Sequence, residues 1–288
     1  MDFVTEAFAP AFMQRALIGS LLAVVATSFV GTWVVLRGLA FLGDALAHGV
    51  IPGIALAVLW GFSPLIGAFC AALVMSGLIT FVSNRTVMGD DTAIGLLFVG
   101  MLSLGVVIVS SSKSFATDVT AILFGDALGV TVSDIKTQFF AALLVAICTV
   151  FLYRPFLALT FNQVKAATLG MRPALAQAAL LALLALSIVS SFQTIGTLLV
   201  FGLIVAPPAT AALLVSRVPL IMLVSMFIGA LAVFVGLLLS FHYGTAGGAT
   251  IAGLCVLQFF LVLGSRSVRN WLLAGRRRAP TGSKASAL

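Results

Sequence analysis

Residues 173–216 and 218–265 form two stretches without a single Asp, Glu, Lys or Arg, and His242 is the one histidine they hold. Each is roughly twice the ~20 apolar residues that carry a helix across a bilayer core. A backbone in hydrocarbon must satisfy its own N–H and C=O groups, so each stretch is expected to fold as a pair of membrane helices. The first divides at Ser190-Ser191-Phe192-Gln193 and the second at 243–248 (Tyr-Gly-Thr-Ala-Gly-Gly), where polar residues and glycine interrupt the apolar run. The rest of the chain has the same character: 62% of its residues are hydrophobic and 8% charged, against about 25% charged in a soluble domain. So few charges cannot cover a water-exposed surface. The sequence specifies an all-α, polytopic transmembrane bundle.

Reading the apolar runs against their breakers gives eight or nine spans. The nine-span segmentation is 12–36, 39–60, 64–83, 93–112, 136–153, 174–191, 194–216, 218–240 and 247–264. With the N-terminus outside, this threading puts twelve of the fifteen Lys and Arg residues on one face, leaving Arg15, Lys113 and Lys136 opposite. The positive-inside rule then orients the chain N-out and C-in. The pI near 10.0 reflects anchoring at a membrane surface and lipid contact, not nucleic acid. The N-terminal MDFVTEAFAP is acidic, unlike a cleavable signal peptide, so the first span is expected to stay in the mature protein. Residues 1–266 make one transmembrane domain, and 267–288 read as a basic, disordered cytoplasmic tail. The three cysteines lie in apolar runs without a CxxC, as buried small hydrophobes do.

Two connections exceed simple turns. The outer segment 113–135 contains the short apolar patch AILFG, which is expected to re-enter the protein or lie at the interface. The inner segment 154–173 is bracketed by prolines, and its middle, Asn162 to Leu169, reads as a short cytoplasmic helix suited to docking.

The ionisable residues inside the spans bear on function. In 41-FLGDALAHGVIPG-53, Asp44 and His48 are four apart and share one helix face. His48 lies about 14 Å into a core roughly 30 Å thick, at 1.5 Å per residue. Ionisable side chains at that depth are costly and face a partner or a polar pathway. Three readings are open: two ligands for a transported divalent cation, a proton relay, or a structural hydrogen bond between helices. Gly49 and Gly53 follow as GxxxG, admitting a close neighbour helix, and Pro52 distorts the helix nearby.

His242, in SFHYGTAGG at the outer end of span eight, is a weaker candidate for the same pathway. Pro207 and Pro208 fall in the middle of span seven, where they must kink or break the helix. The break would either release carbonyl ligands or serve packing alone. Asp90 and Asp91 precede span four, as helix caps or as a cation exit. Asp118, Asp126 and Asp134 are placed in outer loops, attracting cations or simply solvated. No GxxxxGK[ST] phosphate loop and no HExxH occur, so ATP hydrolysis by that loop and zinc proteolysis have no anchor here.

With these residues in view, the chain resembles the permease subunits of bacterial ABC importers for zinc, manganese and iron. The resemblance rests on LRGLAFLGDALAHGVIPGIAL (36–56), DDTAIGLLFVGMLSLGVVIVS (90–110), ILFGDALGVTVSD (122–134), QVKAATLGM (163–171), GTLLVFGLIVAPPATA (196–211) and SFHYGTAGGATI (240–251), in that order along almost the whole chain. It implies a transport subunit rather than an enzyme, working as a permease dimer (a homodimer by expectation) with a cytoplasmic ABC ATPase dimer and an extracytoplasmic metal-binding protein. It makes 162–170 the coupling helix, with Asn162, Gln163, Lys165, Ala166, Leu169 and Gly170 toward the ATPase. It also makes Asp44 and His48 an intramembrane cation site. The cargo is Mn2+, Zn2+ or Fe2+, with no permanently bound cofactor, moved by alternating access. The competing class is a proton-coupled secondary metal transporter using Asp44 and His48 as a relay, and a third is a scaffold subunit in which both residues are dispensable.

Overall fold

The computed structural model describes residues 2–85, 90–111, 130–161 and 172–277. Within them the chain forms twelve helices, α1 (Asp2–Phe8), α2 (Ala11–Leu36), α3 (Ala40–Gly49), α4 (Ile51–Leu59), α5 (Pro64–Arg85), α6 (Asp90–Ser110), α7 (Val132–Phe151), α8 (Tyr153–Phe161), α9 (Pro173–Ile195), α10 (Thr197–Leu214), α11 (Val218–Tyr243) and α12 (Gly247–Arg277). Among the described residues eight helical stretches are long and apolar enough to cross a membrane, with α3 and α4 together counted as one. The shorter apolar helix Leu199–Leu214 occupies the place of the expected seventh span.

Helix α2 is the axis of the bundle, packed against α7, α9, α10 and α11. Ala23, Ala26, Val30, Trp33 and Val34 on it are all fully buried. A helix that is apolar all round and surrounded by others suits the centre of a membrane bundle. Its polar residues are absorbed locally: Thr27 Oγ1 donates to the Ala23 carbonyl at 2.8 Å, and Thr32 Oγ1 to that of Ser28 at 2.7 Å. Ser225 Oγ on α11 donates to Ser28 Oγ at 3.1 Å, tying the two helices in the core.

The break between spans six and seven is at Gly196, not at Ser190–Gln193. Ser190 Oγ donates to the Ser187 carbonyl at 3.3 Å, and Ser191 Oγ accepts from Gln138 Nε2 of α7 at 3.0 Å. The serines are thus helix-internal and interhelical partners, not breakers. Gly196 sits at φ 75°, ψ 163°, a conformation essentially confined to glycine, and there the chain turns from α9 into α10. The second division is where the sequence placed it, with Gly244 at φ 63° ending α11 and α12 starting at Gly247.

Pro207 and Pro208 do not break α10, which runs continuously through them. Proline at 208 cannot donate to the Ile204 carbonyl. That oxygen abuts Gly31 of α2, where an added Cβ would collide with it and crowd the Pro208 ring. The proline pair therefore belongs to a close crossing of α2 and α10. Span five begins earlier than expected, at Val132, because Thr131 and Asp134 form a capping box. Asp134 N donates to Thr131 Oγ1 at 3.2 Å, and Thr131 N to Asp134 Oδ2 at 3.0 Å. Asp134 is a cap, not a solvated loop residue. Helix α6 includes Asp90 and Asp91 in its first turn. The patch at 118–126 and the coupling residues 162–170 lie outside the described residues, as do 278–288 of the tail. Helix α12 continues to Arg277.

Candidate functional site

The site grows from the turn after α2. Gly38, at φ 70°, reverses the chain, with the Leu39 N–H donating to the Val34 carbonyl at 2.9 Å. Helix α3 then buries one face completely: Leu42, Ala45 and Leu46 are at most 1% exposed. Ile204 and Phe201 of α10 lie against Gly43. That burial leaves Asp44 and His48 on the opposite face. His48 Nε2 lies 3.5 Å from Asp44 Oδ1, and each side chain is 31% exposed.

The separation is informative. A hydrogen bond of this type has its N and O about 2.7–3.2 Å apart, so 3.5 Å does not lock the pair. Two ligands each ~2.1 Å from one metal ion stand about 3.0 Å apart at a 90° angle and about 3.4 Å at a tetrahedral one. The observed spacing is close to the ligand–ligand distance of a tetrahedral site, so the pair is near enough to share one first-row divalent ion. Among the described residues no group of three or more His, Cys, Asp or Glu could hold a metal. Within the described residues, a metal ion held by this pair would have two side-chain ligands.

His48 opens into a cavity of about 380 Å³ between α3, α4 and α6, walled by Ile51, Phe98, Leu102, Val106 and Ser110. Phe98 meets the imidazole edge-on at 5.9 Å between ring centroids and Phe41 at 5.8 Å, so one aromatic ring orients the histidine. Behind the pair, Gly49 faces Met75 of α5, and Gly53 faces Gly67 and Ala71 of the same helix. The GxxxG expected to admit a neighbour admits α5. Proline at 52 has no N–H for the His48 carbonyl, which is met by the Val50 N–H where α3 gives way to α4. A second cavity of about 390 Å³ lies across α6, lined by residues including Trp60, Phe62, Cys70 and Met101, with no carboxylate or imidazole.

His242 ends α11, its Nδ1 3.0 Å from the Leu238 carbonyl and its ring edge-on to Phe241. It forms no metal-holding group with Asp44 and His48 among the described residues. The sequence reading missed the α6 wall. Phe98, Leu102 and Val106 recur every four residues, but α6 is apolar on all sides, and nothing local marks which side faces the histidine.

Residues 9–265 match the ABC 3 transport family. The manganese import system permease protein ScaB of Streptococcus parasanguinis is 36% identical over 251 residues, 87% of this chain and 89% of that protein. A probable iron transport system membrane protein of Haemophilus influenzae is 31% identical over 268 residues, 93% of this chain and 98% of that protein. Among solved structures, PsaBC from Streptococcus pneumoniae in complex with Fab aligns with a TM-score of 0.80 and 29% identity, covering 91% of this chain and 94% of that one.

Proposed function

The chain belongs to the ABC 3 transport family, and from that premise we propose that it is the permease of an ATP-driven importer that carries a divalent transition-metal ion into the cytoplasm through Asp44 and His48. It is a metal ABC transporter permease and a multi-pass protein of the cytoplasmic membrane. The observation that carries the finer reading is the 3.5 Å separation of the Asp44 carboxylate from the His48 imidazole, with His48 lining the cavity. Relatives named for manganese and iron support those ions first, and the oxygen and nitrogen ligands also accept zinc.

Two side-chain ligands per chain among the described residues favour a homodimer with the path between copies, so that four protein ligands are met only transiently. An importer must release its cargo, and a permanently closed four-ligand cage would hold it. The extracytoplasmic binding protein delivers the ion at the outer face. Alternating access moves it past Asp44 and His48, driven by a cytoplasmic ATPase dimer that engages residues 162–170. The N-out, C-in orientation rests on the distribution of Lys and Arg.

The test is uptake of radiolabelled manganese, iron and zinc into proteoliposomes holding this chain with its ATPase and binding protein, beside Asp44→Ala/His48→Ala. The expected result is ATP-dependent uptake of at least one metal by the wild type and loss of it in the double variant, with ATPase assembly unchanged. Equal uptake by both would remove the pair from the pathway. Uptake that ignores ATP and collapses with the proton gradient would replace the importer with a proton-coupled carrier.

A further inference from the structure

The eight acidic residues all lie before residue 135, whereas eleven of the fifteen Lys and Arg residues lie after it. The second half of the molecule therefore carries cationic side chains with no carboxylate in the same half to answer them. Two of these, Arg266 and Arg269, together with Ser265, line a cavity of about 230 Å³ closed on its other side by Leu213 and Leu214 at the end of α10. Among the described residues neither arginine has a carboxylate within ion-pair distance.

The depth of this cavity follows from α12. At 1.5 Å per residue, the rise from Gly247 to Arg266 is about 29 Å, essentially the ~30 Å thickness of a hydrocarbon core. The guanidinium groups thus sit at the hydrocarbon boundary, where the phosphates of the bilayer lie. Directly beneath Ser265, one and two turns down the same face, Leu261 and Leu257 are 63% and 51% exposed, and Leu214 beside the cavity is 51% exposed. A cationic cup above an exposed apolar strip is the shape complement of a phospholipid, with the phosphate in the cup and an acyl chain on the strip. Guanidinium groups suit the phosphate because each presents paired N–H donors to two oxygens at once.

We propose that Ser265, Arg266 and Arg269, with the ends of α10 and α12, form a binding site for the headgroup of an anionic phospholipid. The site needs only the membrane setting and is independent of which metal the protein carries or whether Asp44 and His48 bind it.

The experiment is native mass spectrometry of the purified permease–ATPase complex, exchanged into micelles containing equal amounts of phosphatidylglycerol and phosphatidylcholine. The wild type is expected to retain one phosphatidylglycerol per permease chain beyond the complement of an Arg266→Gln/Arg269→Gln variant, whose affinity falls about thirtyfold. Leu214→Trp, which keeps both charges and fills the cavity, is expected to lose the same lipid. Equal retention by wild type and double variant overturns the proposal, and so does retention by Leu214→Trp, since that outcome means diffuse charge attraction without a built cup. Displacement of the lipid by excess inorganic phosphate would make the cup a free-anion site and overturns it as well. Loss of the ATPase from the double variant with lipid retention unchanged would assign the arginines to the partner protein, again against the proposal.

Discussion

A methyl group at residue 49 probes how the cation pair is held. The Cβ of Gly49→Ala would land on Sδ of Met75, which is fully buried in the core. Either the methionine leaves its rotamer or α3 moves away from α5. Overpacking of that kind costs about 1–3 kcal/mol. Met75→Ala alone leaves a cavity and costs about 2–5 kcal/mol. In the double variant the collision is gone, so it is expected to be no less stable than Met75→Ala, giving a coupling of about 1–3 kcal/mol. Reversible unfolding in mixed micelles titrated with SDS measures all four corners of the cycle. His48 is the adjacent residue, so uptake is expected to fall in Gly49→Ala and to recover in the double variant. If the two stability effects simply add, to within about 0.5 kcal/mol, the two residues are not in contact and the reasoning fails.

Gly196→Ala is expected to destabilise by about 1–3 kcal/mol because φ 75°, ψ 163° is strained for any Cβ-bearing residue. Gly95→Ala, on α6 with open space around it, serves as the contrast and should be neutral or gain up to about 1 kcal/mol. The same SDS titration ranks them, and an equal response from both would refute the backbone argument. Ser225→Ala removes the buried hydrogen bond to Ser28 and is expected to cost about 0.6 kcal/mol, the usual worth of an interhelical bond in a membrane. A loss several times larger would mean that the two serines belong to a wider network.

Much of this molecule is written locally. The apolar runs of a membrane span must be long and charge-free, so the spans and their order were legible, including the division at Gly244. The spacing of Asp44 and His48 dictates a shared helix face whatever surrounds it. The capping box at Thr131 and Asp134 is equally local, a T-x-x-D before an apolar run. The misplaced division at Ser190–Gln193 has a different cause. Serine reads as a breaker until its partner, Gln138, 53 positions away in sequence, is brought against Ser191.

What the tertiary structure alone decided is the choice of neighbours. Helices apolar on every side carry no stripe to say which face turns inward. In hydrocarbon, leucine against lipid and leucine against leucine differ little, so helix partners are selected by close fit. That fit makes α2 the central helix, sets the Ile204 carbonyl against Gly31 and Met75 behind Gly49, and aims Phe98 at His48. The sequence placed two costly side chains one turn apart in a membrane. The packing left both partly exposed and set His48 against a cavity, because the opposite face of α3 was the one that could be buried.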